Sequence, residues 1–223
     1  NLDNKYFIRD GNGIPFIPGS SIKGAISTAI EYYKKWKIDD EKRKEAFRNV
    51  IIRDSYLNSN DLTMGKVIIG KMKRMFDIEV IKPGTKFKLE IEILSNSITI
   101  NDIMVYSTLR NLKIIKLIND LGYFDKLPNE IRTYYNNFMS KFRSYNFDNP
   151  SYDKNMVDFV RQNGFIMRLG KYTGALSKVT GSFDRNYNYI SLQRKFKYLG
   201  RLIKLGQSQN EVLMGYIVFK ILS

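Results

Sequence analysis

Residues Gly13 to Tyr33, "GIPFIPGSSIKGAISTAIEYY", constrain the fold more than any other stretch, because a turn rich in Pro and Gly breaks directly into a helical stripe. From Ile22 the apolar positions are Ile22, Ala25, Ile26, Ala29, Ile30 and Tyr33, the spacing that buries one face of an amphipathic helix. Ser20, Lys23, Ser27 and Lys34 fall on the opposite face. Ser20 or Ser21 suits the N-cap, where a hydroxyl accepts from the N2 or N3 amide and contributes about 1 kcal/mol. Lys23 is the anomaly. A helix start carries orphan N–H groups and a partial positive charge, so a cation there needs something negative opposite. Gly24 is a second oddity, since Gly on an exposed helix face costs about 1 kcal/mol relative to Ala. A capped helix without a ligand is the simpler explanation. Both residues instead fit a phosphate lying across the helix start, with amides and hydroxyls donating and Gly24 permitting close approach. The G-x-x-x-x-G-K-[ST] spacing is absent, so nucleotide hydrolysis is not implied.

The 223 residues contain no cysteine and no histidine. Disulfides, thiolate nucleophiles, the usual zinc sites, Ser-His-Asp triads and histidine acid–base catalysis are therefore excluded together. Any chemistry would rest on carboxylates, lysine, tyrosine or a carboxylate-bound hard cation. No apolar run approaches the roughly 20 residues needed to span a bilayer and no signal peptide is visible, so a soluble cytoplasmic protein with no membrane partner and no cofactor is expected. The 37 Lys and Arg against 22 Asp and Glu leave a net charge of +15, which points to a polyanionic partner. Residues 161 to 223 concentrate this excess, with only Asp184 and Glu211 opposing it, and interleave it with aromatic rings that can stack unpaired bases. A compositional bias toward Lys, Ile, Asn and Tyr would not cluster charge at one end.

Along the rest of the chain, "DDEKRKEAF" reads as a second helix or a solvated loop, and "NVIIRDSYL" as a strand and turn. Ile78 to Ile81, a Pro83-Gly84 turn and the alternation Phe87, Leu89, Ile91, Ile93 predict a hairpin. Helices are expected over 102–121, 128–143 and 155–162, a polar surface loop over 143–155, and strands at "GFIMRLG" and "MGYIVFKIL". In "RLGKYTGALSK", Gly170 and Gly174 bracket Lys171, Tyr172 and Thr173, a loop offering a cation, a stacking ring and amides able to face an anion. Asp10 and Asp54 beside turns read as turn formers more readily than as catalysts. Helices and strands in this order point to an α+β architecture of the ferredoxin-like (RRM-like) kind with helical insertions. We expect one unit over 1–223: a core with the "PGSS" helix over 1–100, a helical insertion over 101–160 and a basic C-terminal part over 161–223, or two similar halves.

The segments "IRDGNGIPFIPGSSIKGAISTAI", "VIIRDSYL", "IEVIKPGTKFKLEIEI", "FIMRLGKYTGALSKV" and "LMGYIVFKIL" together resemble the RAMP superfamily of CRISPR effector proteins. Within it they are most similar to the fifth-subunit family of the type III-A Csm complex. The resemblance implies a RAMP core whose opening strand is not visible before Asn1. It also implies a non-catalytic subunit that caps the 3′ side of the CRISPR RNA (crRNA), contacts neighbouring RAMP subunits, and supports crRNA maturation and antiviral defence while host nucleases do the trimming. RNA contacts carried over are Ser20, Ser21 and Lys23 at the helix start and Arg168, Lys171 and Lys178 at the second loop, while the residues themselves add Gly24, which clears the approach, and the Tyr172 ring. One alternative is the backbone RAMP subunit, a metal-dependent target-RNA endoribonuclease for which Asp3 lies near the catalytic position. The stretch from Met64 to Pro83 lacks the "DR" and "ER" elements of that subunit. Another alternative is a pure assembly protein meeting acidic neighbours.

Overall fold

The computed structural model describes residues 6–34, 41–69, 74–94, 97–147, 150–170, 202–205 and 211–221. The elements are β1 (Phe16–Ile17), α1 (Gly19–Lys34), α2 (Glu41–Arg48), β2 (Val50–Ile52), β3 (Ser55–Tyr56), β4 (Leu62–Ile69), β5 (Arg74–Ile81) and β6 (Ile91–Ile93). They continue with α3 (Ile100–Asp120), α4 (Asn129–Lys141), α5 (Lys154–Asn163), β7 (Phe165–Arg168), β8 (Leu202–Leu205), β9 (Val212–Leu213) and β10 (Tyr216–Phe219). The fold is α+β. No helix among the described residues is long and apolar enough to cross a membrane.

The apolar stripe makes α1 a core helix: Ile22, Ile26, Ala29 and Ile30 are buried, and the helix packs against α3. α3 is buried on almost every side, with Ile103, Met104, Leu109, Leu112, Ile115 and Ile118 fully enclosed. Its start is fixed by a reciprocal cap in which Thr99 Oγ1 accepts from the Asp102 amide and the Asp102 carboxylate accepts from the Thr99 amide. α4 and α5 close the far side with a ring cluster of Phe138, Phe142, Phe147 and Phe159. One apolar cluster runs from Ile17 through these helices to Phe219.

A helix so deeply buried carries polar side chains only where something satisfies them. Thr108 and Asn111 of α3 meet the edge of β7 that is not paired with β10: the Ile166 amide donates to Thr108 Oγ1 at 3.3 Å, and Asn111 Nδ2 donates to the Ile166 carbonyl at 3.2 Å. Tyr134 of α4 donates to the Gly164 carbonyl at 2.6 Å. A strand edge that would otherwise bury unpaired amides is thus closed by helix side chains.

Among the described residues, antiparallel pairings account for every strand: β5-β4-β8-β9 in one sheet, and β1-β3, β2-β6 and β7-β10 as two-stranded pieces. Val67, Phe76, Ile78 and Ile203 form a smaller apolar cluster on one face of the four-stranded sheet. The expected hairpin about Pro83-Gly84 does not form. The turn exists, with Gly84 at φ +82° and the Thr85 amide donating to the Lys82 carbonyl, but the strands on its two sides diverge. β5 pairs along its whole length with β4, from Leu62↔Ile81 to Ile69↔Arg74, while β6 pairs with β2, from Val50↔Ile93 to Ile52↔Ile91. Alternation marks an extended segment with two faces without naming its partner. The eight-residue β4 just before β5 is the longer ladder, and the buried Val50 gives β6 a different neighbour.

The segment preceding β1 is tied to β5 by one carboxylate. Glu79 Oε1 accepts from Arg9 Nη2 at 2.8 Å, and Oε2 accepts from the Phe7 amide at 2.9 Å. The Arg9 hydrogen bond, opposed by partial burial and reinforced by the Phe7 amide, holds the Glu79 carboxyl below its usual value of 4.5. A depressed folded-state pKa contributes stability above the unfolded value and loses it as pH falls through the folded one. Urea denaturation between pH 3 and 7 should therefore show Glu79→Gln less stable than wild type at neutral pH, with the two converging below about pH 4.5. A gap that persists unchanged into acid would show that this ionisation contributes nothing.

Candidate nucleic-acid interface

The start of α1 is capped from outside the helix. The Gly19 amide donates to Asp54 Oδ1 at 2.7 Å, and the Ser21 and Ile22 amides both donate to the Pro18 carbonyl. Pro18 therefore occupies the N-cap position, and Ser20 and Ser21 lie within the first turn with exposed side chains, which corrects the expectation that one of them caps the helix. Proline has no side-chain acceptor. The pairing of Ile17 with Ser55 brings Asp54 beside Gly19 to do that work. A Cβ on Gly19 would lie 2.1 Å from the Ile52 carbonyl oxygen and 2.8 Å from its carbon, so only glycine allows this approach. Asp54 is thus the negative group opposite the helix start. Most first-turn amides are already taken, and only the Ser20 N–H lacks an acceptor among the described residues.

Ser20, Lys23, Gly24 and Ser27 of α1, with Lys44 and Phe47 of α2, line an open groove of about 300 Å³. Lys23 is half-buried and enters no ion pair among the described residues. Lys44 is held at 2.7 Å by Glu41 one turn earlier on α2. The Ser27 hydroxyl donates to the Glu31 carboxylate, so it is turned along the helix. A Cβ on Gly24 would meet nothing within 4 Å, which means that no packing within the described residues accounts for glycine there. The groove is basic and hydroxyl-lined, with an apolar wall from the buried Phe47. It can receive a phosphate through Lys23 and the Ser20 amide and hydroxyl, at the point where Gly24 lets a backbone come close.

Four of the expected contacts, Ser20, Ser21, Lys23 and Gly24, therefore sit together on the first turns of α1, and three of them line the groove. Arg168 does not join them. It is 3% exposed, its Nε donates to the Met214 carbonyl at 2.9 Å, and its guanidinium lies 4.7 Å from the centroid of the Tyr216 ring. β7 is buried along its length between α3 and β10, so the Arg168 side chain braces the strand and is not available to a phosphate at the surface. Lys171, Tyr172, Lys178 and Asp3 lie outside the described residues. Asp10 is a turn former as expected, accepting from the Asn12 and Ile14 amides at 2.9 Å each. Lys44 and Phe47 join the groove without any signal in the sequence that marks them for it. Their three-residue spacing puts them on one helical face, but the charged run around them does not distinguish helix from loop.

In comparison with known proteins, the RAMP superfamily model matches residues 1–163. No curated protein matches the sequence. Among solved structures, a chain of a cryo-EM Csm–crRNA–target RNA ternary complex in a type III-A CRISPR-Cas system is similar at 16% identity and TM-score 0.58, over 96% of this chain and 75% of that one. The crystal structure of T. onnurineus Csm5 is similar at 16% identity and TM-score 0.54, over 97% of this chain and 74% of that one. At these identities the likeness is one of fold.

The joint between Gly19, Ile52 and Asp54 predicts stability effects that surface positions would not show. Gly19→Ala should cost about 1–3 kcal/mol, because the contacting atoms are backbone and cannot swing aside. Asp54→Ala should cost about 1 kcal/mol through removal of the cap. Chemical denaturation of the double variant should show less than the sum, since the first change already displaces the amide that the second leaves unpaired.

Proposed function

The chain belongs to the RAMP superfamily, and from that premise we propose that it is a crRNA-binding subunit of a type III-A Csm effector complex, holding the 3′ side of the crRNA at the end of the assembly. The observation that carries the reading is the α1 groove, where Lys23 has no ion pair among the described residues and Gly24 leaves open space beside it. The fold likeness to a chain of a Csm–crRNA–target RNA complex and to Csm5 supports it. In this reading the subunit is non-catalytic. It binds crRNA, abuts neighbouring Csm subunits, and leaves trimming to nucleases of the host. Phosphate contacts position a strand without reading its bases, as suits a protein that must accept any guide sequence. The net charge of +15 supplies long-range attraction for the same polyanion.

Two substitutions test the groove in filter-binding titrations of single-stranded RNA across a salt series. Lys23→Ala should weaken binding about equally for unrelated sequences and lower the salt slope by about 1, as expected when one fewer phosphate is neutralised. Unchanged affinity together with failed assembly into the complex would make Lys23 a protein contact instead. Gly24→Ala should raise the melting temperature, since Ala is better by about 1 kcal/mol in a helix and its methyl meets nothing, yet it should weaken RNA binding. A stabilised variant that binds RNA as wild type does would remove the close-approach role.

A further inference from the structure

A second surface is built from the extended segments that flank the Gly19–Asp54 joint in sequence. Arg9 bridges Pro15 in antiparallel fashion, the Phe16 amide donates to the Ile8 carbonyl at 3.2 Å, and Phe16 pairs with Tyr56. Ile8, Phe16 and Tyr56 therefore stand in one row across three neighbouring extended segments, with Tyr6 and Ile14 two residues along on the same face. Alternation confirms the sidedness, since Ile17, Ser55 and Leu57 are all buried. On the outer face Tyr6 is 70% exposed, Tyr56 56%, Ile8 49% and Ile14 43%, and the Phe16 and Tyr56 rings lie 5.8 Å apart. A contiguous apolar face of this kind marks a contact surface.

We propose that this face is a base-stacking platform for single-stranded RNA, with Tyr56 and Phe16 at its centre and Tyr6 at its margin. The inference rests on the reading of the chain as an RNA-binding subunit and adds a second contact to it. Three of the five side chains are aromatic, and exposed rings stack unpaired bases regardless of sequence. The chain that carries them has a net charge of +15, which favours a polyanion over an apolar protein surface as the occupant. The elements that bear the rings are joined through the chain and one hydrogen bond to the helix that bears the groove. β1, which bears Phe16, runs through Pro18 into α1, and β3, which bears Tyr56, begins one residue after Asp54. A strand whose phosphates engage Lys23 would thus be held by the same joint that sets the rings. Asp10, the acidic group on the neighbouring turn, already accepts two amides of its own turn.

Titration of the full chain with a single-stranded RNA and with a matched RNA carrying abasic sites, at several salt concentrations, tests the platform. Tyr56→Leu should lower affinity for intact RNA by roughly 5- to 100-fold, the equivalent of about one stacked base, and leave the salt slope unchanged. Tyr56→Phe should bind as wild type. The abasic RNA should bind more weakly than intact RNA, and Tyr56→Leu should weaken it little further. If Tyr56→Leu binds intact RNA as well as wild type while Lys23→Ala still lowers the salt slope, the platform is overturned, the groove stands, and the apolar face is left to a protein partner. Absence of any salt-dependent RNA binding by the wild-type chain overturns both.

Discussion

The close approach of Gly19 to the Ile52 carbonyl is the contact on which the described structure turns. It lets the first turn of α1 lie directly on the chain between β2 and β3, which brings Asp54 within 2.7 Å of the Gly19 amide. From that one joint, α1 extends inward to pack on α3, β1 and β3 pair to form the outer aromatic face, and β2 is left to receive β6. A side chain at position 19 would push the helix off the strand and break the cap with it. The Pro18-Gly19 and Asp54-Ser55 pairs are 35 residues apart in sequence, yet they are the two halves of one connection.

That joint also changes the meaning of the lysine in the first turn. A helix start with free amides would attract an anion unaided, but here the Gly19 amide is neutralised by a carboxylate and two further amides are closed on Pro18. Lys23 is then no longer a charge placed against an uncompensated dipole. Asp54 offsets the helix end, and the cation is free to act outward into the groove with Ser20 and Gly24. In the proposed reading, a phosphate would be held by a side chain and one amide, and so would depend more on Lys23 than at a bare helix terminus.

Much of this is legible from residues alone, for identifiable reasons. The helices α1, α3, α4 and α5 and the strands β7 and β10 fall where the sequence places them: α1, α4 and α5 each bury one face and so show the helical spacing, while α3 and β7, buried on most sides, show as apolar-rich runs. What stays hidden is partnership. Alternation in Phe87 to Ile93 shows an extended segment but not that its ladder forms with Val50 to Ile52. Ser20 and Ser21 have the right chemistry for a cap, but the acceptor comes from Asp54, distant in sequence. Arg168 has the right charge for RNA, but it sits in a strand covered on both sides, where its guanidinium serves the Met214 carbonyl and the Tyr216 ring. Nothing in the spacing of Thr108 and Asn111 links them to Ile166, whose backbone needs both.

These hidden partnerships share a physical cause. Each joins a backbone group that its own segment cannot satisfy to a polar side chain elsewhere in the chain: Gly19 to Asp54, Ile166 to Thr108 and Asn111, Gly164 to Tyr134 and Phe7 to Glu79. A buried amide or carbonyl left unpaired costs about 1–3 kcal/mol, so these pairings are exacting even though each adds little net stability when made. They therefore act as locks on placement more than as sources of stability. At the start of α1 this bears on the proposed RNA contacts, because the segments that carry the aromatic row and the groove meet at this joint. Core packing places α1, and the carboxylate and the glycine fix its first turn against the chain between β2 and β3, so a substitution that loosens that joint would disturb both segments at once.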